Sequence, residues 1–431
     1  MTPETQVPHL VTALTGPLKT LEKHLLSRQV TIETWFRQRW QQTPPPFYSS
    51  VDLRNAGFKL APVDTNLFPA GFNNLNPETM SLCVQAAQAT IAEICPEVTR
   101  LLIIPESHTR NMNYFESVAT LRDILMGAGV DTRIGFIGES LSEAQEYTLP
   151  SGRKLRLEPL IREGDRVGVE DFFPCCVVLN NDLSSGVPEI LENLSQRIMP
   201  SMQLGWTQRL KSEHFRHYEE VALAFSKEMD LDPWLLTPWF DQCPEVDFMR
   251  KEGQDCLKRR AEALFKRIQK KYDEYDIKEK PFLVVKADQG TYGMAVLMIK
   301  DPSELMTLNR KKRTHMSTLK GGAQVTRAII QEGVYSFETY GAENSVAEPV
   351  VYMMGRHVIG GFYRVHDNRG PDENLNAPGM NFHPLAFAQP CNMPCENSEK
   401  EANRFYAYGV VARLALLAAG KEFAAFQEGA K

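Results

Sequence analysis

Short, continuously apolar segments alternate with a helical pattern between residues 100 and 180, and this alternation limits the fold more than any other feature of the chain. The segments lie at 100–105, 132–137 and 175–179, and residues 114–129 carry apolar side chains on one helical face. Strands that are apolar along their whole length are typically buried on both faces. Strand–helix–strand order with such strands predicts a parallel α/β sheet.

The second half of the chain has a different pattern. Apolar side chains recur at helical spacing over 257–272, and two strand-like segments follow at 281–286 and 294–299. The link between those two segments is too short for a crossover helix, so we expect them to form an antiparallel hairpin. Residues 350–354 and 357–359 predict a further hairpin. These patterns indicate an antiparallel sheet.

Chain length, a change of secondary-structure pattern and a run of prolines suggest how the chain divides into domains. A chain of 431 residues is expected to form two or three domains, and the pattern changes near residue 200. Three consecutive prolines at 44–46 mark a second boundary. We expect a helical arm at 1–49, a parallel α/β domain at 50–197 and an antiparallel domain at 198–431.

Composition and charge exclude several classes of protein. With 43% hydrophobic and 24% charged residues, the chain does not have the composition of a disordered protein. Its net charge of −6 gives no basic field, so neither nucleic acid nor membrane is expected as a partner. The 8 cysteines are too sparse for a disulfide scaffold. No targeting segment is visible, which predicts a cytoplasmic protein.

A loop with two glycines follows Lys286 at the end of a predicted strand, and it comprises Gly290, Thr291, Tyr292 and Gly293. Glycine lets backbone N–H groups approach phosphate oxygens closely, and the lysine adds a positive charge. An ordinary hairpin turn explains the glycines equally well. The loop also lacks the ending of a Walker motif. On its own it therefore decides nothing.

Segments further along the chain supply other parts that phosphoryl transfer needs. A short apolar strand at 329–334 can present backbone amide and carbonyl groups to an adenine edge. Arg364 lies on a later strand, and the loop at 372–379 gathers acidic and amide oxygens. Phosphoryl transfer requires cations near the phosphates and hard oxygen ligands for Mg²⁺. All of these parts follow one another in the second half of the chain.

An amide-rich loop in the first half is a candidate substrate site. Amide side chains both donate and accept hydrogen bonds, which suits the ammonium and carboxylate groups of an amino acid. Asparagine also favours turns, so a purely structural loop remains the alternative. Ligands of open α/β sheets bind beyond the carboxyl ends of the strands. The candidates are Arg54, Lys59, Asp64, Asn66, Asn73, Asn74, Arg110 and Asn111.

These segments together resemble the ATP-grasp pattern, with a spacing closest to that of glutathione synthetases. The residues that carry the resemblance are Lys286 with its glycine loop, Gln331-Glu332-Gly333-Val334, Glu348, Tyr363-Arg364 and the segment 374–379. With the segments 61–75 and 105–111 included, the whole chain is similar to the bacterial glutamate–cysteine ligase family, which has an ATP-grasp-like build.

The resemblance implies a fold, a reaction and roles for individual residues. The implied fold is α/β and ATP-grasp-like, with a parallel α/β domain that binds substrate followed by an antiparallel-sheet domain that binds nucleotide. The implied reaction joins the γ-carboxyl group of L-glutamate to the amine of L-cysteine, with ATP and Mg²⁺ as cofactors. Lys286 and Arg364 are the implied catalytic residues. The implied nucleotide-binding residues are Lys211, Lys286, Gly290, Thr291, Tyr292, Gly293, Gln331, Glu332 and Val334.

The chain departs from the ATP-grasp pattern in one respect, because the usual late cluster of metal ligands is missing from its C-terminal sequence. The magnesium ligands are then expected to be Glu348, Asp367, Glu373 and Asn376, unless metal handling differs. Two alternatives remain open for the function: another ATP-grasp ligase, or a nucleotide-binding module without turnover. A homo-oligomer also remains open.

Overall fold

A computed structural model of the chain describes residues 17–107, 111–138, 141–290, 295–318, 324–385 and 404–429. These residues form an α/β fold with one mixed sheet and several antiparallel sheets. The helices are α1 (Pro17–Ser27), α2 (Gln29–Gln42), α3 (Met80–Ile94), α4 (Met112–Gly127), α5 (Lys211–Met229), α6 (Gln254–Glu274), α7 (Arg310–Ser317) and α8 (Arg404–Gly429). The strands are β1 (Tyr48–Asn55), β2 (Leu60–Asn66), β3 (Arg100–Pro105), β4 (Asp131–Phe136), β5 (Gln145–Thr148), β6 (Lys154–Pro159), β7 (Ile161–Glu163), β8 (Arg166–Gly168), β9 (Cys176–Asn180), β10 (Arg197–Met199), β11 (Phe240–Cys243), β12 (Leu283–Ala287), β13 (Val296–Ile299), β14 (Ala328–Glu332), β15 (Glu338–Tyr340), β16 (Ser345–Met354), β17 (His357–His366) and β18 (Asn381–Pro384).

The mixed sheet has the strand order β10-β9-β3-β4-β6-β5. Its inner pairs are parallel, and only the edge strand β5 runs antiparallel to its neighbour β6 among the described strands. Residues Leu101 to Ile104 of β3 are fully buried, as continuously apolar strands of a covered parallel sheet should be. The predicted parallel α/β arrangement at 100–180 is confirmed. Helix α4 links β3 to β4 and packs against α3.

A second sheet has four strands in the order β11-β14-β12-β13, and its strand pairs are antiparallel. Val284 on β12 pairs with Met298 on β13, which confirms the predicted hairpin. Helix α6 packs on this sheet through the apolar side chains expected from its periodicity. Those buried side chains are Leu257, Ala261, Leu264, Ile268 and Tyr272.

The third sheet combines strands from both ends of the chain, in the order β18-β17-β16-β1-β2, with β15 also beside β16. The predicted hairpin of β16 and β17 is confirmed, and it extends further than the sequence pattern indicated, to Val346 opposite His366. Strand β1 pairs with β16, with Val51 opposite Val351. The proposed domain division groups β1 and β2 with residues 50–197, whereas their strand partners lie in the C-terminal part; the division stays a prediction.

Helix α8 lies at the centre of the largest hydrophobic cluster, which also contains residues of α1, α2, α5 and β1. Nearly every side chain from Tyr406 to Ala419 is buried, as expected for a helix that is apolar on all sides. Within the predicted helical arm at 1–49, the described residues include two consecutive helices, α1 and α2. In the described part of the chain, each helix is too short or too polar to cross a membrane.

Candidate active site

A cleft opens between the four-stranded sheet and the sheet that contains β1, β2, β16 and β17. Its lining combines charged side chains from both sheets with apolar side chains. The lining residues are Asp52, Arg54, Val63, Asp64, Lys211, Val284, Lys286, Gly290, Val296, Met298, Gln331, Glu332, Val334, Glu348, Arg364, Asn374 and Asn376. The cleft therefore brings together most of the predicted nucleotide-binding residues and several of the predicted substrate and metal residues.

One wall of the cleft is a face of the four-stranded sheet. Val284 and Lys286 are two residues apart on β12, so their side chains point to the same face. Their direct partners on β13 are Met298 and Val296, and Gln331 on β14 pairs with Val284. Directly paired residues share a face of a sheet. The wall thus has an apolar area beside the amine of a lysine and the amide of a glutamine.

Lys286 reaches from this wall towards the opposite sheet. Its Nζ donates to the carbonyl oxygen of Val63 on β2 and to Oε1 of Gln331, both at 2.8 Å. Burial lowers the pKa of Lys286 to about 8, because the nearby Asp64 carboxylate offsets only part of the desolvation. The Nε2 atom of Gln331 is buried and has no hydrogen-bond partner among the described residues.

A second lysine enters the cleft from the first residue of α5. Lys211 Nζ donates to Asp64 Oδ1 at 2.8 Å and lies 4.2 Å from the centre of the Trp206 ring. Burial opposes ionisation of Asp64, but the charges of Lys211 and Lys286 outweigh it and hold the pKa of Asp64 well below its usual range. Asp64 is therefore a carboxylate that bonds the Lys211 ammonium group and attracts the nearby Lys286 ammonium group by its charge.

A buried polar network behind Lys211 connects α8 to this part of the cleft. Glu422 accepts a hydrogen bond from Arg209 Nε at 2.9 Å, and its Oε1 lies 2.7 Å from His214 Nδ1. His214 Nε2 is 2.9 Å from Oγ1 of Thr65, the neighbour of Asp64, and Arg209 donates to the Thr65 carbonyl oxygen at 2.6 Å. Despite burial, Arg209 and His214 lower the pKa of Glu422 to about 2.

The other wall carries two arginines and two carboxylates. Glu348 and Arg364 face each other across the β16–β17 pair and form an ion pair. Arg364 also donates to Asp52 at 2.9 Å, and Arg54 Nε donates to Glu348 at 3.0 Å. Burial raises the pKa of Asp52, although Arg364 opposes that effect. Burial also opposes ionisation of Glu348, but Arg54 and Arg364 outweigh it and lower the pKa of Glu348.

The four predicted magnesium ligands do not all lie in the cleft. Glu348 and Asn376 line it. Asp367 is exposed outside it. The Glu373 carboxylate accepts hydrogen bonds from Arg369 and from the Gly370 N–H at 3.0 and 2.7 Å. Glu373 is not among the described residues that line the cleft, and its backbone carbonyl accepts a hydrogen bond from Arg54, which does line it.

Lys59 and Glu332, both predicted site residues, bond to each other in the protein interior. Lys59 Nζ donates to Glu332 Oε2 at 2.7 Å and lies 4.2 Å from the centre of the Trp234 ring. The Glu332 carboxylate also accepts from Trp234 Nε1 and from the Trp239 N–H, each at 3.0 Å. The Lys59 side chain is 1% exposed and links the β1–β2 connection to β14 of the other sheet, and Lys59 is not among the described residues that line the cleft.

The predicted amide residues make local turn and cap contacts. Asn66 accepts from the Phe68 N–H, and Asn111 caps α4 by accepting from the Asn113 N–H. Asn73 is exposed and donates to Asn74. None of these four asparagines is among the described residues that line the cleft. Their role in substrate binding stays a prediction, and Arg110, Thr291, Tyr292 and Gly293 lie outside the described residues.

Sequence reasoning assigned no individual role to Asp52, to Asn374 or to the strand residues of the apolar wall, which are Val284, Val296 and Met298. Asp52 lies two residues before Arg54 on β1, and period-two alternation could have placed it on the same face. Asn374 accepts from the N–H of Asn376, a predicted residue of the same loop. The apolar wall offered no signal, because its valines and methionine look like any other strand residues.

The fold and the cleft define a class of protein: an α/β protein with a cleft between two antiparallel sheets that is lined by charged side chains and suits a small charged ligand. The sequence model of a protein family, GshA, glutamate-cysteine ligase, matches residues 22–423. The chain belongs to this family, which confirms the predicted resemblance. It is accordingly an ATP-dependent glutamate–cysteine ligase that acts on small-molecule substrates.

A solved structure from Methylobacillus flagellatus KT, assigned as a gamma-glutamylcysteine synthetase, is 52% identical to the chain. The match has a TM-score of 0.90 and covers 97% of this chain and 99% of that one. A glutathione synthetase-like effector of Globodera pallida is 9% identical, with 85% and 78% of the two chains covered and a TM-score of 0.37. The D-alanyl-alanine synthetase A of Vibrio cholerae O1 biovar eltor is 8% identical, with 74% and 81% covered and a TM-score of 0.34. No curated protein matches the chain.

Proposed function

We propose that the cleft forms γ-glutamylcysteine through a γ-glutamyl phosphate, with ATP held between the two antiparallel sheets in an ATP-grasp-like manner. This proposal rests on one observation: Lys211, Lys286 and Arg364 line the same cleft, beside an apolar wall. A nucleotide needs an apolar surface for its base and cations for its phosphates, and the cleft offers both. The reaction would be the first step of glutathione biosynthesis, in the cytoplasm.

The apolar wall is the proposed adenine site. Val284, Met298 and Val334 line the cleft there, and the unpartnered amide of Gln331 can donate to a ring nitrogen. Lys211 and Lys286 would bind the phosphates and exchange their present carboxylate, carbonyl and amide partners for phosphate oxygens. Charge-assisted hydrogen bonds to phosphate are stronger than those to neutral oxygens.

The chemistry follows from the weakness of a carboxylate as an electrophile. Transfer of the γ-phosphoryl group of ATP to the glutamate γ-carboxylate releases ADP and gives the carbonyl carbon a phosphate leaving group. The cysteine amine then attacks that carbon, phosphate leaves and an amide bond forms. We propose that Arg364 neutralises the charge that develops on the transferred phosphoryl group. No protein nucleophile is required, because the phosphate serves as the leaving group.

The donor set on the Arg364 side of the cleft fits Mg²⁺, which prefers oxygen ligands. Asp52 and Glu348 offer carboxylates, and Asn374 and Asn376 offer amide oxygens, all among the residues that line the cleft. These four would hold the ion, which when bound neutralises charge on the phosphates. Asp367 and Glu373 are not included as ligands, because Asp367 is exposed outside the cleft and the Glu373 carboxylate bonds to Arg369 and to the Gly370 N–H.

The test is product mass after incubation with ATP, Mg²⁺, glutamate and cysteine, with each component omitted in turn. We expect γ-glutamylcysteine, ADP and phosphate only in the complete mixture. When hydroxylamine replaces cysteine, we expect γ-glutamyl hydroxamate, because hydroxylamine captures an acyl phosphate. Formation of AMP would refute phosphoryl transfer to glutamate, and a product that lacks cysteine would favour another ligase.

A further inference from the structure

Three cysteine thiols converge on the mixed sheet, away from the residues that line the cleft. The Sγ atoms of Cys95, Cys175 and Cys176 all lie within 4.8 Å of one another. Cys95 directly follows the last residue of α3, and Cys176 is the first residue of β9. The Sγ atoms of Cys95 and Cys176 are 2.9 Å apart. The three residues come from two segments that are 80 positions apart in sequence, so the fold itself creates the cluster.

We propose that these three thiols form a binding site for one thiophilic metal ion, Cu⁺ or Zn²⁺. Thiolate ligands select such soft or borderline ions over Mg²⁺ and Ca²⁺. Three thiolates suffice for Cu⁺, and a water molecule would complete the tetrahedral set of Zn²⁺. The site is separate from the proposed ATP cleft and does not depend on the proposed reaction.

The distances suit a single ion. A zinc–sulfur bond is about 2.3 Å long, so one ion bonded to three sulfurs in a plane needs them roughly 4 Å apart. Cys95 and Cys176 are closer than that, so one of them must turn outward by about 1 Å. Cys95 is only partly buried and Cys175 is exposed, so there is room for this movement and a path for the ion to enter.

The surrounding backbone already holds the ligand segments together. The N–H of Arg197, the first residue of β10, donates to the carbonyl oxygen of Cys175 at 3.1 Å. The guanidinium group of Arg197 donates to the carbonyl oxygen of Ile94, the residue before Cys95. Arg197 thus ties both segments together and brings a positive charge next to a site that becomes negative when its thiols ionise.

The position of the cluster predicts a structural role for the ion. Cys175 and Cys176 lie at the amino end of β9, whereas the carboxyl end of that strand carries Asn180. A bound ion would fix the end of α3 to the start of β9. Binding to the folded chain raises its stability by mass action. We therefore expect a higher melting temperature with the ion and unchanged ligase turnover.

The experiment uses the full chain in a background in which Cys391 and Cys395, a pair outside the described residues, are changed to serine. Zn²⁺ is titrated in competition with 4-(2-pyridylazo)resorcinol, and Cu⁺ in competition with bicinchoninate under anaerobic reducing conditions. We expect one ion to bind per chain in at least one of the two titrations. Cys95→Ser and Cys175→Ser should each weaken that binding by at least about tenfold.

The matched control is Cys243→Ser, because that thiol lies outside the cluster and should leave metal affinity unchanged. Retained ligase activity checks that each variant folds. The proposal is overturned when both ions stay with their chelators, or when Cys95→Ser binds as tightly as the background chain. It is also overturned when the cluster is instead recovered as a Cys95–Cys176 disulfide that excludes the ion.

Discussion

At the scale of single residues, each cation of the cleft already contacts an oxygen atom of the protein. Lys211 is paired with Asp64, and Lys286 donates to Gln331. Arg364 is paired with Asp52 on the opposite wall. A bound nucleotide would therefore displace existing contacts of these three cations. Selectivity for phosphate must then come from its greater charge and number of acceptor oxygens.

The lowered pKa of Lys286 predicts a pH dependence of ATP capture. The amine is charged below about pH 8 and becomes neutral as the pH rises through that value. A neutral lysine binds phosphate weakly, so kcat/KM for ATP should be constant below pH 8 and fall above it. The pH dependence of kcat/KM for ATP reflects the pKa values of groups in the enzyme before ATP binds. The measurement is a pH profile of initial ADP release with glutamate and cysteine saturating.

Lys286→Arg is the matched variant for this profile, because a guanidinium group stays charged throughout the range. We expect the alkaline fall to disappear or move upward by more than one pH unit, whatever the absolute rate. Burial also lowers the pKa of Lys59 to about 8, so Lys59 is the competing explanation. An alkaline fall that persists unchanged in Lys286→Arg would assign it to Lys59 or another group and contradict the prediction.

Arg364 offers a second test at this scale. If Arg364 stabilises the negative charge that develops during phosphoryl transfer, the substitution Arg364→Lys should lower kcat by about 10²–10³-fold, with little change in KM for ATP. The lysine keeps the charge but loses the planar group that donates in two directions. Steady-state kinetics at saturating glutamate and cysteine check this expectation. A change confined to KM for ATP would instead assign Arg364 to ground-state binding.

The cleft shows how far single residues can be recognised in the sequence. The resemblance predicted that Lys286, Gln331 and Arg364 belong to one site, and all three line the cleft, whereas the glycine loop alone did not decide the role of Lys286. The role of Asp52 depends on its register opposite Asp64 and on an ion pair with Arg364, which lies 312 positions away. The predicted role of the first-half asparagines in substrate binding stays a prediction, although their described contacts are local turn and cap bonds, as in Asn66.

At the scale of elements, local patterns predicted individual strands well and their long-range partners poorly. Strand β3 was predicted with its observed bounds, and the hairpin of β12 and β13 with its direction. The pairing of β1 with β16 was not predicted, because an antiparallel register over 300 residues leaves no periodic trace in sequence. That pairing builds one wall of the cleft, so the site could only be assembled from the structure.

Substitution of Glu422 tests whether helix α8 stabilises the fold and the residues of the cleft. Its pKa of about 2 in the folded chain lies below its ordinary value, so its ionisation stabilises the fold above about pH 4.5. That contribution declines as the pH falls towards 2. Glu422→Gln should lower the stability by about 3 kcal/mol at pH 7. Thermal melts of both chains at pH 7 and pH 4 measure the difference, which should narrow at the lower pH.

Glu428→Gln is the control for this test, because Glu428 lies on the same helix and is exposed. We expect it to melt within about one degree of the parent chain, since surface substitutions change stability little. Glu422→Gln should also raise KM for ATP, because His214 and Arg209 would no longer hold Thr65 beside Asp64. An unchanged KM would show that the network serves stability alone.

At the scale of the whole molecule, hydrogen bonds connect the two sheets that face the cleft. Lys286 donates to Val63 from one side, and Arg54 donates to the carbonyl oxygen of Val334 at 3.1 Å from the other. A nucleotide bound between the sheets would add contacts to both. Ligand binding should therefore stabilise the chain as a unit, and the melting temperature should report it.

We predict that a non-hydrolysable ATP analogue with Mg²⁺ raises the melting temperature of the parent chain. At a hundredfold excess over Kd the gain corresponds to about 2.7 kcal/mol. Lys286→Ala should lose most of this shift, because one phosphate ligand is gone. Lys278→Ala is the matched control, since Lys278 is an exposed lysine paired only locally with Asp276. A full shift in Lys286→Ala, or an equal loss in Lys278→Ala, would place the nucleotide elsewhere than between these two sheets.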